Sequence, residues 1–349
     1  MKRWMLVVLS VLLLAAYGMI LSKYDPYTAP QLSGTEPGEE TSQPEETTLP
    51  AVTEPTAAET IPQQTQSATE PAQITAPQKQ NAKPEANPDY RLTARHAFVY
   101  DCEAGEYLFT HGNMADQVAP ASLTKLFTAW VVLQYLPEDA VITCGEETSW
   151  IDPASSVAWV SPGDQVPVST LIQGMMMQSG NDAAYAAAVA AGRVISGDSD
   201  CSAEKALAWF MEEVNRRAQE LGLAGTHFAT PDGLDTFDHY TTPEDLLTIA
   251  LLAKDHPLLR HYSSLGTASV MYDNGETHTY QSTNFLLLPQ SKYYCPDACG
   301  MKTGTTSKAG SCLMSLFHNG EKYILIGILG CPKYEDRFVD ALELYARYG

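Results

Sequence analysis

Three short stretches of this chain hold side chains that could do chemistry together. Ser122-Leu123-Thr124-Lys125 sets a hydroxyl and an amine one helical turn apart, Ser179-Gly180-Asn181 offers a second hydroxyl and an amide, and Lys302-Thr303-Gly304 adds an amine, a hydroxyl and a residue with no side chain. A serine attacks a carbonyl only if a base takes its proton. A lysine can be that base when burial or nearby positive charge pulls its pKa down from about 10.4. Leu123, Leu126, Phe127, Ala129, Trp130, Val131 and Val132 surround Lys125 with apolar groups on nearly every face, so its helix should be buried and its charge disfavoured.

Spacing alone does not select the site. Ser202-Ala203-Glu204-Lys205 repeats the S-x-x-K pattern and Ser282-Thr283-Asn284 repeats S-x-N. Lys205, however, stands beside Asp198, Asp200 and Glu204 at the head of an amphipathic stretch with Glu212, Glu213, Arg216 and Arg217, which predicts a solvated helix start and a protonated amine.

The elements around the motifs suit acyl transfer. Pro120 and Ala121 bring the chain into a helix so that Ser122 falls in its first turn, where backbone N–H groups are free to help hold an oxyanion. The i, i+3 spacing puts Lys125 on the same face. Ser179 and Asn181 fall in a loop between two helices, where Ser179 could relay a proton to the leaving group and Asn181 could orient a substrate amide; the plainer reading is a helix cap at Asn181 or Asp182. Lys302 to Gly304 lies in a glycine-framed strand whose edge could bind a peptide, with Gly304 allowing close approach, Lys302 lowering the pKa of Lys125 and Ser179 or attracting a carboxylate, and Thr303 bonding that carboxylate.

His96–Tyr100, Tyr107–Thr110, Met301–Thr303, Ser311–Phe317 and Tyr323–Leu329 read as strands, and Asn319-Gly320 favours a tight hairpin between the last two. Segments 122–136, 169–177, 182–194, 201–221 and 243–254, and Tyr334–Tyr348, have helical spacing. The expected fold is α/β in the α+β sense: a five-stranded antiparallel sheet built from both ends of the domain, flanked by helices, with a helical subdomain inserted and the cleft at the junction.

Not all 349 residues belong to that domain. Lys2 and Arg3 precede an apolar run from Trp4 to Leu21, about long enough to cross a bilayer; residues 1–24 read as a retained membrane anchor that places the rest of the chain outside, or as a signal segment cut near Ala16-Tyr17-Gly18. Residues 25–90 are Thr, Glu and Pro rich, and the stretch 25–89 carries eleven acids against two lysines and eleven of the 22 prolines. Such a tract cannot bury a core and predicts a self-repelling spacer, on the order of 45 Å long as a coil. Residues 91–349 are left for catalysis, and from residue 90 onward the net charge is −15, which argues against nucleic acid as partner. The seven cysteines form no C-x-x-C pair, so no metal is expected; Cys295 with Cys299, or a pair among Cys102, Cys312 and Cys331, are candidates for a disulfide.

From about residue 92 to 349 the chain resembles the D-alanyl-D-alanine carboxypeptidases, the low-molecular-mass penicillin-binding proteins. Pro120-Ala121-Ser122-Leu123-Thr124-Lys125 is similar to their P-A-S-x-T-K, Gly300 to Gly310 is similar to G-x-K-T-G-x-T-x-x-A-G, and the stretches 215–234, 241–247 and Asn284-Phe285-Leu286-Leu287 follow the family too. The resemblance implies a β-lactamase/transpeptidase-like fold and a serine peptidase without cofactor. It would remove the terminal D-Ala from peptidoglycan stem pentapeptides, with β-lactams as covalent inhibitors. By that similarity Ser122 is acylated by the penultimate D-Ala carbonyl, Lys125 accepts its proton, the amides of Ser122 and Thr305 form the oxyanion hole, and Arg337 meets the terminal carboxylate unless it is an ordinary surface helix residue. Family members often carry a β-rich domain and an amphipathic anchor helix after the catalytic domain; here the sequence ends at Gly349 and the expected anchor is at the front. An endopeptidase acting on cross-links would use the same residues. A β-lactamase would need an E-x-x-L-N glutamate, which is missing between Asn181 and Lys302, and a non-enzymatic β-lactam sensor would be expected to have lost a motif residue.

Overall fold

The alternating apolar runs near residue 100 and in the last fifty residues pair into one antiparallel sheet in a computed structural model that describes residues 86–87, 89–272 and 274–349. The expected membrane segment and nearly all of the expected spacer lie outside the described residues. Strands β1 (His96–Asp101) and β2 (Glu106–His111) form the first hairpin; β3 (Val141–Thr143) and β4 (Gln165–Pro167), then β5 (Thr267–Met271) and β6 (Thr277–Gln281), make two small ladders; β7 (Ala298–Thr306), β8 (Gly310–His318) and β9 (Tyr323–Cys331) complete the main sheet in the order β2-β1-β9-β8-β7. The first strand thus lies against the last, with His96 opposite Leu329 and Asp101 opposite Ile324. The five expected strands are all present.

Side chains alternate across a strand, so the apolar runs of β8 and β9 feed two cores. Cys312, Met314, Leu316, Leu325 and Leu329 join the core beneath the helical lobe, whereas Leu313, Phe317, Ile324, Ile326 and Ile328 join the one beneath the C-terminal helix. Between the sheet ends the chain forms α1 (Thr124–Tyr135), α2 (Val168–Met177), α3 (Asn181–Ser196), α4 (Ala203–Glu220), α5 (Pro243–Asp255) and α6 (Pro257–Ser264), and α7 (Asp336–Tyr348) closes the second core. Phe338, Ala341, Leu344 and Tyr345 of α7 are buried, with Tyr345 stacked on Phe317 at 4.2 Å between ring centres.

The sequence reading missed β3 to β6 and α6. The small ladders are short and half-solvated: β3 shows no buried residue, and β5 and β6 bury only Val270 and Tyr280. The disulfide expectation is also corrected, because all seven cysteines are free. Cys312 and Cys331 sit in different cores on opposite faces of the sheet, as do Cys299 and Cys295. Cys102 lies beside Tyr323 while Cys312 pairs with Gly304 near the other end of the strands.

One buried carboxylate joins the start of the domain to its end. Asp340 on α7 accepts from the Tyr90 hydroxyl, from the backbone N–H groups of Thr93 (3.1 Å) and Ala94 (2.8 Å) and from the Thr93 hydroxyl (3.1 Å). Hydrogen bonds to a buried charge contribute about 1.5–3 kcal/mol each but are not additive. Asp340→Ala should therefore lower unfolding free energy by about 2–4 kcal/mol in a denaturant titration, and speed amide exchange at Thr93 and Ala94 before the rest of the sheet.

Candidate active site

Ser122 sits in a 3-10 turn, Ala121–Leu123, that leads into α1 rather than in the first turn of α1 itself. Ala121 has φ +50°, an uncommon value for a residue with a side chain, and two glycines leave room for the turn. A Cβ on Gly304 would come within 3.0 Å of Ala121 Cβ and 3.1 Å of the Ser122 nitrogen, and one on Gly233 would meet the Ala121 carbonyl at 1.9 Å. Gly304 thus brings the backbone of β7 against the backbone of the serine turn, as its place in K-T-G suggested.

Lys125 is fully buried in α1. Its Nζ donates to Ser122 Oγ at 3.0 Å, Asn181 Oδ1 at 2.7 Å and the Asp232 carbonyl at 2.8 Å, so three acceptors hold the amine in place. Burial pushes its pKa down to about 8 against the opposing pull of the Asp232 and Asp182 charges. The apolar surroundings read from the sequence therefore have the expected electrostatic effect.

The structure brings Asn181 into this cluster, where its Nδ2 also donates to Ser155 Oγ at 2.8 Å. Ser179 is buried at the turn between α2 and α3 with φ +61°, and among the described residues its hydroxyl forms no hydrogen bond to Lys125 or Lys302. The cap reading of this stretch does not hold. Gly180 precedes α3 without a side-chain cap, and Asp182 instead accepts from the N–H groups of Ala158 (2.8 Å) and Val160 (2.9 Å), tying the 150–160 loop to the site. Burial pushes the Asp182 carboxyl up in spite of these amides.

Lys302, on the edge strand β7, is also fully buried, and its Nζ donates to the Thr303 carbonyl at 2.9 Å. Burial first, then the charges of Lys125 and Arg337, hold its pKa well below the usual lysine range. The two neighbouring cations thus add to burial in disfavouring the charged form of Lys302. Thr303 Oγ1 meets Thr283 Oγ1 at 2.6 Å, so the second S-x-N stretch is no decoy in space: it braces the K-T-G strand from behind, with the Thr283 N–H donating to the Met177 carbonyl at the end of α2. The other repeat matches its expectation, since Ser202 caps α4 and Lys205 is exposed.

Arg337 is not a surface residue. It is buried, its guanidinium donating to the Gly304 carbonyl, Thr305 Oγ1 and the Cys312 carbonyl, all within 3.0 Å, and it lies 3.9 Å over the Tyr334 ring. Its Nε is buried without a partner among the described residues. Its charge thus reaches the site from beneath Thr305.

A cavity of about 410 Å³ opens over the cluster, lined by Ser122 and Asn181, by Ser155 and Ser156, by Gly233 and Asp235, and by Thr305 and Thr306. Sequence reasoning gave the loop at residues 229–235 no role in the site, although 215–234 is among the stretches that resemble the family. Asp232 gives Lys125 its third acceptor, and its buried Oδ2 has no partner among the described residues, which leaves that charge to act on Lys125. His239 holds this loop: its Nδ1 accepts from Ala229 and Thr230, so in the neutral ring Nε2 donates to Thr124 Oγ1 at 2.9 Å, and burial lowers its pKa to about 4. Asp235 accepts from Thr306 Oγ1 (2.8 Å) and the Lys308 N–H (2.9 Å), pinning the loop to the turn after β7. Pro231-Asp232-Gly233 was the available signal, a turn tripeptide placed beside no element.

Among the described residues no group of three or more metal-ligating side chains occurs. The arrangement sets a serine hydroxyl against a buried lysine amine beside an edge strand, the parts that acyl transfer would need.

Comparison with known proteins agrees with the arrangement. A family model described as D-alanyl-D-alanine carboxypeptidase matches residues 79–332. Two relatives are the D-alanyl-D-alanine carboxypeptidases DacC of Escherichia coli, 32% identical over 265 residues (72% of this chain and 60% of the relative), and DacF of Bacillus subtilis, 28% identical over 253 residues (70% and 59%). The chain thus spans about 60% of the length of these relatives. Among solved structures, a Streptomyces DD-transpeptidase superposes with TM-score 0.65 at 28% identity, covering 76% of this chain and 99% of that one. An ampicillin-bound penicillin-binding protein of Listeria monocytogenes gives 0.59 at 27%, covering 75% and 100%.

If neutral Lys125 is the base, the second-order rate of Ser122 acylation by a β-lactam should climb about tenfold per pH unit and level off above pH 8, following the lowered lysine pKa. Lys125→Arg, whose guanidinium stays charged, should acylate about 10²–10⁴ times more slowly across the whole range. Intact-protein mass spectrometry reads both, and a flat profile for the unaltered protein would exclude Lys125 as the base.

Proposed function

The chain belongs to the D-alanyl-D-alanine carboxypeptidase family, and from that premise we propose that it hydrolyses the terminal D-Ala from peptidoglycan stem pentapeptides through an acyl-enzyme on Ser122. The observation that carries the proposal is the 3.0 Å contact between Ser122 Oγ and the Nζ of a fully buried lysine whose pKa is drawn down to about 8. Neutral Lys125 takes the serine proton as Oγ attacks the penultimate D-Ala carbonyl. The amides of Ser122 and Thr305, which line one cavity, receive the oxyanion.

The edge of β7 pairs with the substrate backbone, Asn181 orients its amide, and Thr303, Gly304 and Thr305 surround its terminal carboxylate, with Lys302 and the buried Arg337 supplying positive charge from beneath. As the C–N bond breaks, Ser179 relays the proton held by Lys125 to the departing D-Ala nitrogen, which leaves Lys125 neutral again. Water then attacks the acyl carbon while Lys125 takes one of its protons, and Lys125 returns that proton to Oγ as the C–O bond to Ser122 breaks. A β-lactam, whose amide imitates the same peptide bond, acylates Ser122 in the first step and blocks the second.

The apolar run from Trp4 to Leu21 anchors the chain in the cell membrane, and the acidic spacer carries the catalytic domain outside. Among the described residues no helix is long and apolar enough to cross a membrane, and the run itself lies outside them.

The full chain, given a diacyl-Lys-D-Ala-D-Ala peptide, should release D-Ala, and Ser122→Ala should abolish both that release and labelling by fluorescent penicillin. Release that survives in Ser122→Ala, or none from the unaltered protein, would refute the assignment. Fractionation of cells should recover the full chain with membranes and a chain starting at residue 24 without them.

A further inference from the structure

The 150–160 loop presents an aromatic ring that the chemistry above does not use. Trp159 is 47% exposed yet has φ +60°, a left-handed backbone that a bulky residue adopts only when its surroundings impose it. Here they do. Asp182 holds the N–H groups on both sides of Trp159, those of Ala158 and Val160, and the Ala158 carbonyl accepts from the hydroxyls of both Tyr272 and Tyr280. The indole stacks on His278, at an interplanar angle of 4° with ring centres 5.6 Å apart, and on Tyr280, at 25° and 6.2 Å. The result is a rigid, flat ring with area left open to solvent.

This ring adjoins the catalytic wall. A Cβ on Gly180, the middle residue of Ser179-Gly180-Asn181, would lie 2.9 Å from the Ala158 nitrogen and 2.7 Å from its Cβ, so the residue before Trp159 packs directly on that motif. Its stacking partner His278 stands on β6, five positions before Thr283, which touches Thr303. Ser156 lines the cavity and stands three residues before Trp159, which keeps the platform within about 11 Å of the cavity wall. An extended stem peptide with its last bond at Ser122 has four residues between that bond and its sugar, a span of about 14 Å. Indole faces suit the apolar C–H faces of pyranose rings, and such a span carries the sugar beyond the cavity to within reach of this ring.

We infer that Trp159 is a stacking platform for the N-acetylated glycan strand that bears the stem peptide, so that the site prefers strand-borne stems to free peptides. The inference rests on the reading of the site as a stem-peptide hydrolase.

With the full chain, kcat/KM for D-Ala release from uncross-linked strands bearing pentapeptides should fall about five- to tenfold in Trp159→Ala, and recover mostly in Trp159→Phe. On diacyl-Lys-D-Ala-D-Ala it should change less than about twofold. Equal losses on both substrates, or no loss on strands, would overturn the inference. Co-sedimentation with peptide-free glycan strands gives a readout independent of turnover: binding that weakens at least threefold in Trp159→Ala supports the platform even if no D-Ala is released, and unaltered protein that stays in the supernatant refutes it.

Discussion

The cost of burying an ammonium organises this molecule. Lys125 lies in a helix buried on almost every side, and a charged amine there is stable only while neighbouring oxygens surround it. Those oxygens come from three separate parts of the chain: the turn before α1, the α2–α3 junction and the loop at residue 232. Keeping the lysine deprotonable without leaving it unpartnered therefore draws these segments together, and the cleft forms where they meet. His239, Thr124 and Asp235 act one step further out by holding the loop that supplies the third oxygen.

Three cations near one another make the site electrically frugal. Lys125, Lys302 and Arg337 are all buried, and burial lowers the pKa of each. An anion entering this region would favour protonation of these groups, and their protonation would favour its arrival. The acids that face Lys125, Asp232 and Asp182, oppose its deprotonation; the value of about 8 is where these tendencies balance.

The sequence carried the strong periodicities and the rigid motifs. Strands β7 to β9 and the Ala- and Leu-rich helices were legible because long apolar runs have few alternatives, and Ser122/Lys125 could be separated from Ser202/Lys205 because an apolar helix and an acidic helix start differ in their local charges. What was not legible was conditional on tertiary contact. Nothing local marks the Asp232 carbonyl as an acceptor for a lysine more than a hundred positions away, or Thr283 as the brace of Thr303. Arg337 lies on a helix with a polar outer face, and only the packing of α7 against β8 takes its guanidinium inside. The disulfide candidates failed for a related reason, since counting cysteines ignores which face of a strand each one occupies.

The Asp340 clamp also has a mechanical meaning. Residues 90–94 are fastened to the last helix, and directly after them β1 runs between β2 and β9. Tension arriving from the upstream chain would meet the clamp first and then load β1 in shear, where rows of hydrogen bonds must break together rather than unzip singly. The helices and loops that hold Ser122 and Lys125 lie outside that line of force, so load applied at residues 90–94 does not pass through the contact between these two side chains.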